Sequence, residues 1–214
     1  MKRFLFHLWH GQQARYGNWM LTTGGRQLWP MDCRVGDFVV DEIAHNLSHV
    51  CRFSGSVAVF YPVSSHAVMV ADVVRALGGN YLQQFQALHH DDPEAILNDL
   101  PSPAKLHLPA YKRLEQRIWK PLAAQIGVPE KLSHLVKHAD TVALVTERRD
   151  LLPDSPHVWK SCVGVNPISS HVKIMSSKTS KHLFLERHHH LLSKMVCQPA
   201  EVRELEWKIC LENK

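Results

Sequence analysis

The chain has 214 residues, of which 45% are hydrophobic and 21% are charged, a balance typical of folded globular proteins and not of disordered chains. This length suits one well-buried core, and no apolar run reaches the roughly 18 residues that a membrane-spanning helix requires. The net charge of +5 favours anionic ligands, but the cations are scattered along the chain, which disfavours a nucleic-acid partner.

The cysteines and the first residues of the chain indicate a cytoplasmic location. The five cysteines are widely spaced and form no Cys-x-x-Cys pair, which argues against a disulfide framework and against a zinc ribbon. The apolar stretch at residues 4–9 is interrupted by His7, and no small-residue cleavage site follows it. We therefore expect no secretory signal and predict a cytoplasmic protein without a membrane segment.

Residues 1–36 form an irregular lead-in according to their composition. Glycines and a proline interrupt this stretch, and Trp9, Trp19 and Trp29 are spread through it. We expect the tryptophans to pack the lead-in against the rest of the molecule.

Helical periodicity dominates the middle of the chain. Apolar residues at helical spacing predict helices over residues 41–51, 64–77, 81–91, 111–127 and 132–152. Ser64 and Ser65 are candidate caps for the second of these helices, which should end at Gly78 and Gly79. The prolines of residues 100–109 predict a rigid loop.

The pattern is weaker after residue 153. We expect short extended pieces within residues 158–172, a polar loop at 176–180, and a helix over 181–196 that carries three consecutive histidines on a solvated face. The chain is thus predicted to be all-α, a single domain over residues 1–214. Its core should cover about residues 37–152, with loop-rich extensions at both ends.

Three places in the sequence combine residues that can bind a metal. His90 and Asp91 are adjacent at a predicted helix end, where they offer an imidazole and a carboxylate to one ion. His66 lies in the first turn of the preceding helix and faces its interior side, and Asp140 lies on a helix face with core residues. Two imidazoles and two carboxylates suit a divalent ion in roughly octahedral geometry.

Other histidines offer alternative sites. His45 and His49 are four residues apart and could bind a metal on one helix face, but no third ligand is apparent. We expect His45 at the rim of the pocket instead. Three further histidines could extend the centre to two ions, but their spacing matches no dinuclear pattern, and we predict one ion; they are His107, His134 and His138.

The order of the candidate ligands resembles the H…HD…D signature of the HD-domain metal-dependent phosphohydrolase superfamily. Residues 60–68, Phe-Tyr-Pro-Val-Ser-Ser-His-Ala-Val, resemble the family's Tyr-Ser-Val-x-x-His-Ser-Val. Residues 88–95, Leu-His-His-Asp-Asp-Pro-Glu-Ala, resemble Leu-Leu-His-Asp-x-x-Glu-Ala, and residues 98–105 resemble Gly-Asp-Ile-Pro-x-Pro-x-Lys. These elements are similar to the bacterial 5′-deoxynucleotidase branch and its phage and prophage relatives, and the likeness covers about residues 19–152.

The resemblance implies an HD-type helical bundle with one divalent ion, which could be Mn²⁺, Co²⁺, Fe²⁺, Ni²⁺ or Mg²⁺. The implied ligands are His66, His90, Asp91 and Asp140. Two acids, Glu94 and Asp99, would orient and deprotonate the attacking water, with Asp99 as the preferred base. Three residues would bind the substrate. Arg52 would hold its phosphate, and Lys105 would be a further phosphate contact. The third is Phe53, which replaces a tryptophan of the relatives.

The implied activity is removal of phosphate from nucleotides, with 5′-deoxyribonucleoside monophosphates as the preferred substrates. Two alternatives are another phosphorylated nucleotide, such as a triphosphate or a signalling nucleotide, and a non-catalytic regulatory protein that binds a nucleotide or a replication partner. A homodimer is compatible with all three of these functions. His89 and Asp92 stand where the relatives have an aliphatic and a small residue, and we expect them beside the metal as additional polar groups.

Overall fold

Helices make up nearly all of the regular structure in residues 14–212, the part of the chain that the computed structural model describes. The predicted all-α class is confirmed. None of the helices in this part is long and apolar enough to cross a bilayer. The predictions for residues 1–13, including the packing of Trp9, lie outside the described residues.

The helices follow one another with short connections over most of the chain. They are α1 (Val40–Leu47), α2 (Val63–Ala76), α3 (Tyr81–His89), α4 (Glu94–Leu97), α5 (Ser102–Lys105), α6 (Pro109–Ile126), α7 (His134–Leu151), α8 (Ser177–Val196) and α9 (Ala200–Glu212). Two short strands, β1 (Met20–Leu21) and β2 (Gln27–Leu28), pair antiparallel in the lead-in. Single turns of 3₁₀ helix cover Pro30–Asp32, Arg52–Gly55 and Lys160–Cys162.

Helix α2 is central to the core because it packs against α3, α7 and α8. Val70 and Val74 of α2, Phe85 of α3, Ala143 of α7 and Phe184 of α8 are all fully buried. Each fully buried valine or phenylalanine side chain among them contributes about 1.5–3 kcal/mol of transfer free energy. The core thus brings together the three helices that carry the candidate metal ligands.

The turn between α2 and α3 shows how local sequence positions these helices. Gly78 adopts a positive φ of 81° and ends α2, as predicted. A Cβ atom on Gly79 would lie 2.4 Å from Val74 Cγ1, so only glycine allows this close approach. Asn80 then begins α3 with a reciprocal capping box formed with Gln83.

Several predicted boundaries are wrong in detail. Helix α2 begins at Val63, before the proposed caps, because Pro62 precedes it; Ser64 is buried and donates a hydrogen bond to Ser180 on α8 (2.8 Å). The first predicted helix ends at Leu47, earlier than the predicted residue 51. The proline-rich loop at residues 100–109 contains α5, since proline is tolerated in the first turn of a helix.

The C-terminal extension is more helical than its sequence pattern predicts. Residues 158–172 contain no strand, only the 3₁₀ turn Lys160–Cys162. The polar segment 176–180 begins α8, because the Ser176 side chain accepts a hydrogen bond from the Thr179 backbone and caps the helix. Helix α9, which we did not predict, packs on α3.

Ion pairs connect the lead-in to the start of the helical core. Arg15 forms a bidentate salt bridge with Asp37, and Arg26 forms a salt bridge with Glu42 of α1 at 2.6 Å. Trp19 is 49% exposed, so the prediction that it packs the lead-in is wrong. The reason is that strands β1 and β2 form a small hairpin with little apolar surface to cover.

We expect the C-terminal helices to be required for folding, and adjacent leucines on α8 allow a matched test. Leu191 is 1% exposed and belongs to the core, whereas Leu192 is 36% exposed. Leu191→Ala should lower the free energy of unfolding by about 2–5 kcal/mol through lost burial and the cavity it leaves. Leu192→Ala should cost only about 0.5 kcal/mol. Urea denaturation measures both; equal values would show that α8 is peripheral.

Candidate metal centre

Four predicted metal ligands converge between α2, the end of α3 and α7. His66 Nε2 lies 3.1 Å from Asp140 Oδ1 and 3.6 Å from Asp91 Oδ2. His90 Nε2 lies 3.3 Å from Asp91 Oδ2 and 3.8 Å from Asp140 Oδ1. The ligand atoms of His66, His90 and Asp140 all lie within 4.8 Å of one another, a grouping that could hold a metal ion.

The spacing and burial of these atoms fit a divalent ion. Ligand atoms about 2.1 Å from one octahedral ion lie roughly 3 Å apart when adjacent and roughly 4 Å apart when opposite. The Nε2 atoms of His66 and His90 are buried and form no hydrogen bond with the described residues. A buried polar atom without a partner is costly, and a cation would satisfy both imidazoles at once.

The other ring nitrogen of each histidine is occupied, which orients Nε2 toward the centre. His66 Nδ1 donates a hydrogen bond to Glu147 Oε1 (2.7 Å), and His90 Nδ1 donates to the Ala87 carbonyl (2.7 Å). With Nδ1 carrying the proton, the lone pair of each ring is on Nε2 and is available to a metal.

Glu147 was not among the residues that the sequence singled out. It is fully buried on α7, seven residues after Asp140, and it binds both His66 and Arg52. Its position two turns from Asp140 on the same helix face was the signal that could have identified it. The Arg52 and His66 charges outweigh the effect of burial and lower the pKa of Glu147.

Arg52 lies beside the candidate ligands, where the sequence predicts a phosphate contact. Its Nε and Nη2 atoms are 3.1 Å from Glu147 Oε2, whereas Nη1 is 3.8 Å from Asp91 Oδ2. Burial opposes the charge of Arg52, but Glu147 and Asp91 raise its pKa overall. The guanidinium is therefore fixed in orientation and permanently charged at the edge of the centre.

The protonation of the ligands reflects the crowding of opposite charges. Burial and Arg52 lower the pKa of His66, but the carboxylates of Glu147 and Asp140 raise it overall to about 10. Burial would raise the pKa of Asp140, but His66 and His90 hold it well below its usual range. Metal binding at such a site displaces the imidazole protons.

Glu94 and Asp99 are the predicted acids of the site, and the charges of Asp99 and the candidate ligand Asp91 both act on Glu94. Glu94 begins α4, is buried, and accepts a hydrogen bond from Lys105 Nζ (2.9 Å) on Oε1, while its Oε2 has no partner among the described residues. Burial and the charges of Asp91 and Asp99 raise the pKa of Glu94 to about 8. Asp99 is half-buried in the loop after α4.

Lys105 has a different contact from the one that the sequence suggests. Its ammonium group bridges Glu94 (2.9 Å) and Glu115 (3.0 Å), and these carboxylates raise its pKa despite partial burial. A phosphate contact of Lys105 stays a prediction, and its observed role is to hold Glu94 in place.

Phe53 follows Arg52 in a strained backbone conformation. Its φ of 55° and the φ of 50° at Ser54 lie in the left-handed region, which costs on the order of 1–3 kcal/mol for each non-glycine residue. The Arg52 guanidinium lies over the Phe53 ring at 5.3 Å. Strain of this kind persists where neighbouring contacts enforce it, and it is frequent at functional sites.

His89 and Asp92 do not join the metal centre, contrary to our expectation. His89 Nδ1 donates to Asp92 Oδ2 (2.7 Å), and His89 Nε2 accepts from His188 Nδ1 of α8 (2.9 Å). All three side chains are buried, so the prediction of a solvated face for His188 is also wrong. Burial and His89 lower the pKa of His188 to about 3, which keeps it neutral in this chain of hydrogen bonds.

The other histidines do not form a second centre in the described part of the chain. His45 stacks on His49 with ring centroids 4.4 Å apart, and the His49 ring bonds the His45 carbonyl. The place of His45 at the pocket rim stays a prediction. Within residues 14–212, the grouping of His66, His90 and Asp140 is the one set of three or more metal-binding side chains close enough to share an ion.

Comparison with known proteins finds relatives of this chain but no assigned activity. No protein-family model matches the chain. It is 38% identical over 144 residues to the uncharacterized protein YfdR of Escherichia coli, a match that covers 67% of this chain and 78% of YfdR. It is 28% identical over 142 residues to an uncharacterized protein of Rhodobacter capsulatus, covering 62% of this chain and 72% of that protein.

The adjacent acids Asp91 and Asp92 provide a matched test of the ligand set. Asp91→Asn removes a carboxylate that faces both imidazoles, and we expect it to lose most bound metal, by more than the 10–100-fold typical of supporting residues. Asp92→Asn alters only the buried hydrogen bonds that connect Asp92 through His89 to His188, so this variant should retain metal. Elemental analysis after identical purification measures the content. Metal loss in Asp92→Asn alone would exclude the proposed ligand set.

Glu147→Gln tests whether the buried carboxylate supports the metal ligands. Glutamine can still accept the hydrogen bond from His66, but it no longer supplies the negative charge that stabilises both His66 and Arg52. We expect metal affinity to fall about 10–100-fold. Glu186→Gln, an exposed residue on α8, is the control and should leave affinity unchanged. Unchanged affinity in a folded Glu147→Gln protein would contradict the supporting role.

Proposed function

This chain belongs to the family of the Escherichia coli protein YfdR, and we propose that it is an HD-type metal-dependent phosphohydrolase that removes phosphate from nucleotides in the cytoplasm. The preferred substrates in this proposal are 5′-deoxyribonucleoside monophosphates. The observation that carries it is the convergence of two partnerless buried imidazole nitrogens and two carboxylates beside a buried arginine. This combination suits a cation and a phosphate group in contact with each other.

Each residue of the centre has a separate task in the proposal. One divalent ion would be held by His66, His90, Asp91 and Asp140. The candidate ions are Mn²⁺, Co²⁺, Fe²⁺, Ni²⁺ and Mg²⁺. When bound, such an ion would supply positive charge to the phosphate oxygens and Lewis acidity to the attacking water.

Arg52 is the proposed phosphate clamp. Two of its nitrogens are engaged by Glu147, and Nη1 faces Asp91 at 3.8 Å, a distance too long for a hydrogen bond. Nη1 can therefore donate to a phosphate oxygen that reaches the centre. The pairing with Glu147 restricts the guanidinium to one orientation, which reduces the entropy lost when the phosphate binds.

Glu94 and Asp99 are proposed to serve the attacking water. Lys105 restrains Glu94 through Oε1, and the free Oε2 can accept a hydrogen bond from water and orient it. Asp99 is more accessible than Glu94 and is the preferred general base. The water's proton would pass to the Asp99 carboxylate as the oxygen attacks phosphorus, and the leaving ester oxygen would take a proton from solvent as its bond to phosphorus breaks.

A screen of phosphate esters tests the activity. The protein is stripped of metal and reloaded with each of the five candidate ions, then incubated with nucleoside 5′-monophosphates, 3′-monophosphates, triphosphates and cyclic dinucleotides. We expect metal-dependent release of phosphate, fastest from deoxyribonucleoside 5′-monophosphates. Nucleotide binding by the loaded protein without hydrolysis of any ester would exclude the enzyme and favour the regulatory alternative.

Amide variants test the roles of the two acids. Glu94→Gln and Asp99→Asn keep the side-chain shape but remove basicity, so turnover should fall about 10²–10⁴-fold while metal content stays the same. Glu115→Gln is the matched control because Glu115 binds the same lysine as Glu94. It should remain active, and full activity in both Glu94→Gln and Asp99→Asn would contradict a role for either acid as the base.

A further inference from the structure

A cavity of about 640 Å³ lies where α2, α3, α8 and α9 meet, apart from the candidate metal centre. This volume is within the range of about 300–1,000 Å³ that is typical of small-molecule sites. None of the four candidate metal ligands is among the described residues that line it. Arg75, which lines the cavity, follows His66 by nine positions on α2, and at about 100° per residue the two side chains lie on opposite faces of the helix.

Two arginines in the wall of the cavity have more hydrogen-bond donors than the protein uses. Arg75 of α2 and Arg187 of α8 both pair with Oδ1 of Asp72, at 3.2 Å and 2.5 Å respectively. Within residues 14–212 neither arginine has another hydrogen-bond or ion-pair partner, although each guanidinium group carries five N–H donors. Two positive charges therefore share one carboxylate, which leaves donors and positive charge for an anionic group.

The part of the wall formed by α9 and the turn before it has the opposite character. Glu206 is only 8% exposed, and its Oε1 accepts a hydrogen bond from Gln198 Nε2 (3.0 Å). In the described part of the chain its Oε2 has no hydrogen-bond partner, and no cation pairs with the carboxylate. Gln198 Oε1 is buried and likewise has no partner there. A buried carboxylate with only a neutral partner is unfavourable, so an added cation would stabilise this wall.

The lining of the cavity therefore suits a ligand that carries charges of both signs. Two arginines and two glutamates are among the described residues of the lining, and the second glutamate, Glu186, is exposed. A purely anionic ligand would leave Glu206 without compensation, and a purely cationic one would leave the arginine donors unused. Three apolar side chains also line the cavity and suit a hydrocarbon segment; they are Val68, Leu183 and Leu191.

We propose that this cavity binds a small zwitterion, a molecule with a protonated amine at one end and a carboxylate or phosphate at the other. The amine would bind Glu206 and Gln198, and the anionic group would bind Arg75 and Arg187. Because the ligand would connect α2 and α8 to α9, its binding should stabilise the protein against unfolding. The inference does not rest on the proposed function, since none of these four residues belongs to the metal centre.

Two series of probes test the requirement for both charges. The first runs from glycine to 6-aminohexanoate, and the second from 2-aminoethyl phosphate to 6-aminohexyl phosphate. Each probe is compared with two analogues of the same length, one without the amine and one without the anionic group. The Tm and the calorimetric Kd are measured on the full-length protein with and without a chelator, because binding at the metal centre would depend on the ion.

We expect at least one zwitterion to bind about 10-fold more tightly than either of its single-charge analogues, since each end contributes charged hydrogen bonds. At about ten times its Kd it should raise the Tm by about 3–6 °C. Chelation should leave both values unchanged. The series to which this probe belongs identifies the anionic group as a carboxylate or a phosphate.

Variants that remove one charge locate the bound probe. Glu206→Gln still accepts the hydrogen bond from Gln198 but loses its charge, so it should bind the zwitterion no more tightly than the analogue without the amine. Arg75→Gln, at a side chain that is 64% exposed, should weaken the zwitterion about 10-fold without affecting the fold. The matched controls are two exposed positions outside the lining, Glu204→Gln on α9 and Arg113→Gln on α6, and both should match wild type.

Three results would overturn the inference. If no probe of either series binds more tightly than its single-charge analogues, the cavity does not select for a zwitterion. If Arg75→Gln or a folded Glu206→Gln protein retains the wild-type Kd, the probe occupies another site. If chelation abolishes binding, the probe binds at the metal centre. Circular dichroism verifies the fold of each variant, and the exposed position of Arg75 keeps the test decisive if Glu206→Gln does not fold.

Discussion

The carboxylate of Glu147 is the contact on which the arrangement of the centre depends. It lies fully buried on α7 and accepts hydrogen bonds from His66 on α2 and from Arg52 in the turn that precedes α2. Because one oxygen binds each partner, Glu147 sets both the direction of the His66 lone pair and the orientation of the guanidinium. A single buried side chain thus links the proposed metal-binding and phosphate-binding groups.

The charges of the centre do not balance among its own residues. Three carboxylates, those of Asp91, Asp140 and Glu147, face one permanent cation, Arg52, which leaves an excess of two negative charges. Such an excess is unfavourable unless it is compensated, above all at Glu147, whose carboxylate is fully buried. Protonation of His66, whose pKa is raised to about 10, offsets part of the excess, and a divalent cation would offset all of it.

Helix α8 packs on α3 and supports the segment that presents the candidate ligand pair. The side chains of His89 and Asp92 flank the candidate ligand pair in sequence, and both belong to the buried hydrogen-bonded chain that ends at His188. The backbone that presents His90 and Asp91 is therefore restrained by hydrogen bonds of the neighbouring residues His89 and Asp92, which do not join the metal centre. This explains why polar residues occupy the two buried positions on either side of the candidate ligand pair.

The sequence alone determined the helical class, most of the helices from residue 40 to 151, and the four candidate metal ligands and the arginine that converge at the centre. These features are local: helical periodicity shows which face of a helix is buried, and the order of His66, His90, Asp91 and Asp140 is a motif that can be recognised one segment at a time.

Only the tertiary structure decided which residues the buried face of each helix contacts. Glu147 had the spacing of a core position, but its partners come from residues more than 80 positions away, and periodicity carries no information about such pairings. In the same way, His188 lies in a polar run that suggests a solvated face and is buried because α8 packs on α3. Trp159 is stacked on Phe53 by long-range packing, which depends on how the helices are placed in space and not on the local order of residues.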